Sequence, residues 1–322
     1  MKLPRTFQWN FAIEQALGFQ QAVTASYVGS AGRRLLQTEY VLNPNPNIST
    51  ELGVLNHAIS DYDALQLQFQ RRLSHGLQAL ASYSWSHSID TASAGSWGVR
   101  SNAFVPLATA GSNKGPSDFD IRNAFSSGIT YDVPAVKVTS TAATILHGWS
   151  LQSVIQARST PPVNVFDSTF FPGLENYLTN IRPDVVAAQP LYLYGSQFPG
   201  GKAVNPLAFT PPPVNASGEP LRQGDLGRNA LSGFGATQWD FAVHRDFPIR
   251  ESFTLQFRAE IFNLLNHPNF GPPIGDLNNS EFGVSTQTLG QSLDQNPGGG
   301  GFSALYQIGG PRSAQFALKL IF

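Results

Sequence analysis

The last seven residues, Phe316-Ala317-Leu318-Lys319-Leu320-Ile321-Phe322, decide the fold. Counting back from Phe322, the residues Leu320, Leu318, Phe316 and Ala314 fall on one side. Lys319, Ala317, Gln315 and Ser313 fall on the other, and Ile321 is the one large apolar residue out of phase. A period of two with one greasy and one wet face marks a β-strand, because successive side chains point to opposite sides of a sheet. A soluble chain ending on a bare aromatic would leave the ring to fray into water. The ring has a use where that face meets lipid and the aromatic sits in a girdle at the bilayer edge. A soluble amphipathic strand fits these seven residues equally well, so the choice falls to the rest of the chain.

Composition tips the balance. Of 322 residues 41% are hydrophobic but only 13% charged, about half the usual charged fraction. Aromatics reach 11%, with Phe 23, and there are Gly 30 and Pro 23. Mean hydropathy is nevertheless −0.13, and no apolar run approaches the roughly 18 residues of a spanning helix. A membrane β-barrel reconciles these facts, since half of each strand faces lipid and half a polar lumen. A net charge of −1 gives no ground for nucleic-acid binding. The absence of cysteine excludes disulfides, zinc–thiolate sites and cysteine nucleophiles.

Nine segments alternate in this way: 6–17, 20–29, 62–73, 77–90, 118–133, 148–158, 237–247, 252–265 and 312–322. The clearest hairpin opposes Leu65, Leu67 and Phe69 to Gln66, Gln68 and Gln70. Its second strand opposes Tyr83 and Trp85 to Ser82, Ser84 and Ser86. Between the two, Ser74-His75-Gly76 reads as a three-residue loop with Gly in the left-handed position. Gln and Ser suit a hydrated interior better than the Lys and Glu of a soluble surface. The connections are sorted by length. Gly18-Phe19, Ser74–Gly76 and Pro248–Glu251 are short and 134–147 is intermediate, whereas 30–61, 91–117, 159–236 and 266–311 are long and rich in Gly, Pro, Asn and Ser. Short turns at one end and long loops at the other are the pattern of outer-membrane barrels.

Nine is odd, and bacterial single-chain barrels have even strand counts. The expectation is an open antiparallel sheet whose first and last strands are edges, one C-terminal piece of a larger barrel. Met1-Lys2-Leu3-Pro4 runs into the first strand without the apolar stretch of a signal peptide, which points the same way.

Several stretches together are specific. They are Tyr62-Asp63-Ala64-Leu65-Gln66-Leu67-Gln68-Phe69-Gln70-Arg71-Arg72, Ala81 through Asp90, Gly227-Arg228-Asn229 with Trp239-Asp240, Gln256 through Phe270, and Pro311-Arg312 through Phe322. The chain resembles the C-terminal barrel part of an outer-membrane TonB-dependent receptor, of the Oar-like branch with a carboxypeptidase-regulatory-like N-terminal domain. The resemblance implies a 22-stranded barrel of which residues 1–322 supply the last nine strands, in the bacterial outer membrane. It implies four partners: outer-membrane lipid, the missing N-terminal barrel and plug of the same receptor, TonB through a segment absent here, and the barrel-assembly machinery. That machinery would read Phe316, Leu318, Leu320 and Phe322 as an insertion signal. Without plug and coupling segment the chain is not expected to transport alone.

No enzyme constellation, cofactor motif or metal spacing stands out. His57, His75, His87, His147, His244 and His267 are scattered, without the spacing of a zinc site. Asp61 with Asp63, and Asp118 with Asp120, would place paired carboxylates on one strand face; a solvated strand end explains them better than Ca²⁺ binding. Gly298–Gly301 reads as a flexible loop. Arg258 and Glu260 fall on the lumen side, as a cross-strand charge pair or part of a substrate path. Two function classes stay open: the barrel wall of a receptor-transporter, or an adhesive or structural surface protein whose loops make contacts while nothing crosses. Ligand identity is not legible, because specificity resides in loops and plug.

Overall fold

In a computed structural model the described residues are 2–45, 47–93, 113–134, 148–168, 181–216, 218, 220–250, 253–293 and 309–322. Nine long strands follow one another as an antiparallel meander. They are β1 (Arg5–Ala16), β2 (Gln21–Asn45), β3 (Ile48–Ser74), β4 (Leu77–Asp90), β5 (Asn123–Asp132), β6 (Trp149–Arg158), β7 (Ala236–Arg250), β8 (Phe253–Phe262) and β9 (Ser313–Ile321). Each pairs with its sequence neighbours, and the sheet does not close: among the described residues β1 is bonded only to β2, and β9 only to β8. The chain is thus all-β, a partial barrel wall of nine strands.

Register carries the alternation from strand to strand. Trp9 faces Gly29, Phe11 faces Tyr27 and Ile13 faces Ala25. Tyr27 then faces Leu65 and Ala25 faces Leu67, while Leu65 faces Trp85 and Leu67 faces Tyr83. At the far end Leu255, Phe257 and Ala259 face Leu320, Leu318 and Phe316. Paired residues share a side, so one apolar face runs unbroken across all nine strands. The opposite face carries pairs such as Gln68 with Ser82, Ser82 with Ser126, Ser126 with Gln156 and Gln156 with Gln238.

One register row shows the slant. It starts at Gln21, beside the first turn, and passes through Arg71, Ala79, Ile129, Ser153, Phe241 and Ile261 to Ala314, near the start of β9. With the turns at one level, that is a stagger of about one residue per strand. At ~3.3 Å rise and ~4.8 Å spacing it tilts the strands roughly 35°, the geometry of a barrel wall.

Local chemistry fixes the turns and the close approaches. His75 (φ 51) and Gly76 (φ 77) are both left-handed, and Ser74 pairs with Leu77. The connection is therefore a two-residue turn of the mirror type that suits twisted hairpins, one residue shorter than the sequence suggested. The Trp9 indole lies over Gly29, where a Cβ would stand 2.2 Å from the ring. The ring thus covers the gap that glycine leaves in its strand.

Other expectations need correction. Residues 30–61 are no loop: β2 and β3 stay paired to Asn45 and Ile48, forming a ribbon of 25- and 27-residue strands. Register shifts between Gly32 and Leu35 and between Leu35 and Gln37, with Arg34 at φ 57, break the period of two there. A crossing needs only about ten residues, so the rest of the ribbon stands clear of the sheet's apolar zone. Residues 118–122 are not strand either, since β5 begins at Asn123. The turn after β7 is tighter than Pro248–Glu251, because Arg250 already pairs with Phe253.

Candidate functional site

The ends of β4–β5, β6–β7 and β8–β9 away from the tight turns lie at the same end of the sheet as the β2–β3 ribbon, and there the described parts of the long connections fold. The main buried apolar cluster is in these connections: Val163, Val165, Val204, Ala208, Phe209, Leu226, Leu231 and Phe282. It is built from two- and three-residue ladders that pair Leu231–Ser232 with Pro162–Val163, Phe209–Thr210 with Asp184–Val185, and Tyr192–Tyr194 with Lys202–Val204. Phe209 and Phe282 meet edge to face at 6.0 Å. Each buried Val, Leu or Phe contributes about 1.5–3 kcal/mol, so these connections form a packed platform.

A buried polar knot ties the platform to the sheet. Asp90, the last residue of β4, pairs with Arg228 while their side chains keep only 5% and 1% exposure. Arg228 also donates to the carbonyls of Asp90 (3.0 Å), Pro116 (3.2 Å) and Gly115 (3.3 Å). The Asp90 carboxylate further accepts from Ser117 Oγ at 2.6 Å and Ser93 Oγ at 2.7 Å. Asn229 donates to Asp118 at 2.7 Å and to the Pro116 carbonyl at 2.8 Å. Asp120 accepts from the Ser88 backbone at 2.8 Å and hydrogen-bonds His87 at 2.9 Å. Arg182 lies alongside, donating to Asn113 at 2.9 Å; burial, and then the charge of Arg228, hold its pKa below the ordinary guanidinium value.

A second knot closes the β7–β8–β9 side. Asp240 accepts from the Asn263 backbone (2.8 Å) and from Gln238 (2.9 Å), and Gln238 accepts from the Gly309 backbone (2.7 Å). Asn263 donates to the carbonyls of His267 and Gly310, both at 2.9 Å. Asn269 brackets Thr237, accepting from its N–H at 2.8 Å and donating to its carbonyl at 3.0 Å. Below this knot lies a cavity of about 250 Å³, lined by Ser126, Gln156, Arg158, Gln238, Asn269 and Gly309 among others.

On the platform's outer side Arg222 grips Asp184 through two bonds, at 2.7 and 2.8 Å. The Arg222 hydrogen bond draws the Asp184 pKa below the ordinary carboxylate value. Lys202 lies 4.8 and 5.2 Å from the Tyr192 and Phe234 ring centres and donates to the Gly233 carbonyl at 2.7 Å. Burial lowers its pKa.

The carboxylate pairs singled out in the sequence resolve individually. Asp118 and Asp120 precede a strand and belong to the knot. Asp61 pairs with Arg33 at 2.5 Å, and Asp63 accepts from the Tyr27 hydroxyl at 2.6 Å. Among the described residues no three His, Cys, Asp or Glu gather where they could hold a metal. Arg258 and Glu260 do pair, at 2.6 Å, but along one strand; across strands they face His244 and Ala242. Gly298–Gly301 and His147 lie outside the described residues. Phe316, Leu318, Leu320 and Phe322 are brought together on the lipid side of an edge, with 71%, 71%, 51% and 90% of their surface exposed.

Residues 1–295 match the family described as Outer membrane beta barrel domain. The chain belongs to that family. Its strands therefore cross the bacterial outer membrane, apolar face to lipid and Gln/Ser face to the lumen. Among solved structures this barrel chain is similar to the outer membrane transporter YddB from Escherichia coli, at 10% identity and TM-score 0.50, covering 99% of the chain and 32% of that protein. It is also similar to BauA, the ferric preacinetobactin receptor from Acinetobacter baumannii (13%, TM-score 0.46, 98% and 29%). The copper transporter OprC follows (11%, TM-score 0.41, 99% and 31%). The chain spans about a third of the length of these structures. No curated protein sequence matches it.

Proposed function

We propose that this barrel chain is part of the wall of a TonB-dependent outer-membrane receptor-transporter, and that its loop platform contributes the ligand-contacting surface outside the cell. One observation carries this: the described parts of the long connections are packed and pinned at one end of a sheet whose inner face is mostly Gln, Ser, Thr and charged residues, as a mouth over a hydrated passage would be. An adhesin needs the platform but not the polar inner face. The remaining strands, the plug and the TonB-contacting segment would come from the same receptor. Unpaired edges in hydrocarbon cost several kcal/mol per backbone group, so β1 and β9 require that completion, and this stretch would not transport by itself.

Sidedness is the direct test. In the full receptor, a cysteine replacing Leu207, which is 71% exposed on the platform, should react with an impermeant thiol reagent on intact cells. One replacing Ser74, beside the two-residue turn, should react only after the outer membrane is opened. The reverse pattern would invert the topology and remove the platform from the ligand side.

The C-terminal strand has a second proposed role. Phe316, Leu318, Leu320 and Phe322 would be read by the barrel-assembly machinery, as β9 adds to a partner's edge by backbone pairing while its alternate side chains fill pockets. Deleting Phe322 removes one exposed ring and should hardly alter a finished barrel. As an insertion signal its loss should cause periplasmic accumulation and degradation, measured by fractionation. Normal outer-membrane levels would leave these residues a lipid-facing role only.

A further inference from the structure

At the platform end, the lumen face holds a cation that no described carboxylate neutralises. Arg158, the last residue of β6, shares its side of the sheet with Gln156 on the same strand. Its register partners are Ala124 on β5 and Ala236 on β7. A long guanidinium side chain between two methyl side chains leaves room on both flanks. That room belongs to the cavity of about 250 Å³ beneath the second knot, which Arg158, Gln156 and Ser126 help to line. Arg158 is half-buried there. Among the described residues neither its guanidinium nor the Gln156 amide has a hydrogen-bond or ion-pair partner. The other polar side chains of the lining are engaged. The Gln238 amide nitrogen donates to both oxygens of Asp240, at 2.9 and 3.0 Å, and its oxygen accepts from Gly309. Asn269 is held by Thr237. Among the described residues no carboxylate lines the cavity. Asp240, two residues along β7 from Gln238, is satisfied by that amide and by the Asn263 N–H.

A solvated arginine needs only water. Here it comes with a cavity, an uncommitted amide about 7 Å along the same strand face, and the Ser126 hydroxyl, whose one described contact is Ser82 at 3.2 Å. The guanidinium presents a planar fork of N–H donors that matches an oxyanion through two parallel bonds. One guanidinium with no second cation in the lining suits the single charge of a carboxylate better than the nearly double charge of a phosphate. The volume is below the roughly 300–1,000 Å³ of pockets that enclose a drug-sized molecule, so it fits the charged end of a solute. We propose that Arg158, with Gln156 and Ser126 beside it, binds the carboxylate of a solute entering the barrel mouth. That this solute is cargo rests on the transporter reading above; the site itself needs only that this face lines the lumen.

The test uses the full receptor in detergent, with Ala124→Cys supplying its only thiol directly opposite Arg158, and N-ethylmaleimide as an uncharged label. Succinate should slow the labelling; succinamide, of the same size without charge, should not. Adding Arg158→Gln should raise the succinate concentration needed for protection by about tenfold, the worth of one charge-assisted contact. Arg158→Lys keeps the charge but not the fork, so it should show part of that loss while preserving the electrostatics of assembly. Equal protection in the parent and in both variants overturns the proposal, and so does absence of protection in the parent. Inorganic phosphate protecting at a lower concentration than succinate would overturn the carboxylate assignment. A thiol already shielded before any acid is added, and released by Arg158→Gln, would give the site to an acidic side chain of the plug and overturn the proposal as well. Uptake does not enter the measurement. Lost protection with the platform labelled from outside strikes this site alone, whereas inverted platform labelling strikes the transporter reading and leaves protection by succinate in place.

Discussion

Replacing Asp90 with Ala in the full receptor should destabilise the loop platform by about 3–5 kcal/mol, because it strands the Arg228 guanidinium without a counter-charge. The size follows from burial. Arg228 keeps 1% of its side-chain surface exposed, and the carbonyls of Asp90, Gly115 and Pro116 that remain beside it carry only partial charge. Arg228→Met leaves the opposite orphan, the Asp90 carboxylate, although Ser117 and Ser93 still donate to it; its cost should be the smaller of the two. The double variant Asp90→Leu/Arg228→Met should recover much of the loss, since an apolar pair of similar volume avoids desolvating two charges. Hydrogen exchange reads this locally: amides of 181–235 should lose protection while β3 and β4 keep theirs. Single variants that leave platform protection unchanged would show that the apolar cluster around Val165 and Phe209 holds the platform unaided. Ligand affinity should fall with the protection in Asp90→Ala if the platform is the contact surface.

The wall was legible because one physical rule governs it. Wherever a strand crosses hydrocarbon with water on its other side, side chains must alternate, and the nine alternating segments found in the sequence are the nine strands of the sheet in order. The rule stops where the lipid stops. Beyond Gly32 bulges shift the register, the period of two is lost, and nothing in the sequence separates paired strand from loop. The platform was illegible for a different reason. Its ladders are two or three residues long, too short for any period to register, and its core comes from positions as distant as Val163 and Phe282. The site residues lie between these extremes. Arg228, Asn229, Asp240 and Asn263 stood out as part of a resemblance, but their work is structural: they satisfy buried backbone and charge where long connections re-enter the sheet. The available signal was an Arg-Asn pair in a Gly-rich loop and an Asn-rich strand end. Left-handed backbone at Asn229, Asn263 and Asn266 (φ 55, 49 and 51) explains the asparagines, which tolerate that conformation better than most residues.

Leu67→Arg should impair outer-membrane assembly of the full receptor far more than Gln68→Arg, its neighbour on the opposite face. Leu67 sits midway along the lipid face of β3, between Ala25 of β2 and Tyr83 of β4. Asp63 and Arg71, the nearest charges on that face of the strand, lie four residues to either side, about 13 Å along the strand. A guanidinium at Leu67 is therefore near the bilayer midplane, where a lipid-facing Arg costs about 2–4 kcal/mol. Gln68 faces Thr24 and Ser82, polar neighbours on the hydrated side, where an added cation stays solvated and should cost less than about 1 kcal/mol. The comparison isolates the face, because strand, depth and introduced charge are the same in both variants. It can be read as the folded fraction in outer-membrane extracts, and as the urea midpoint of receptor refolded into lipid vesicles. Equal defects would mean that the two faces of β3 meet the same surroundings. The continuous apolar face would then need a different occupant from lipid.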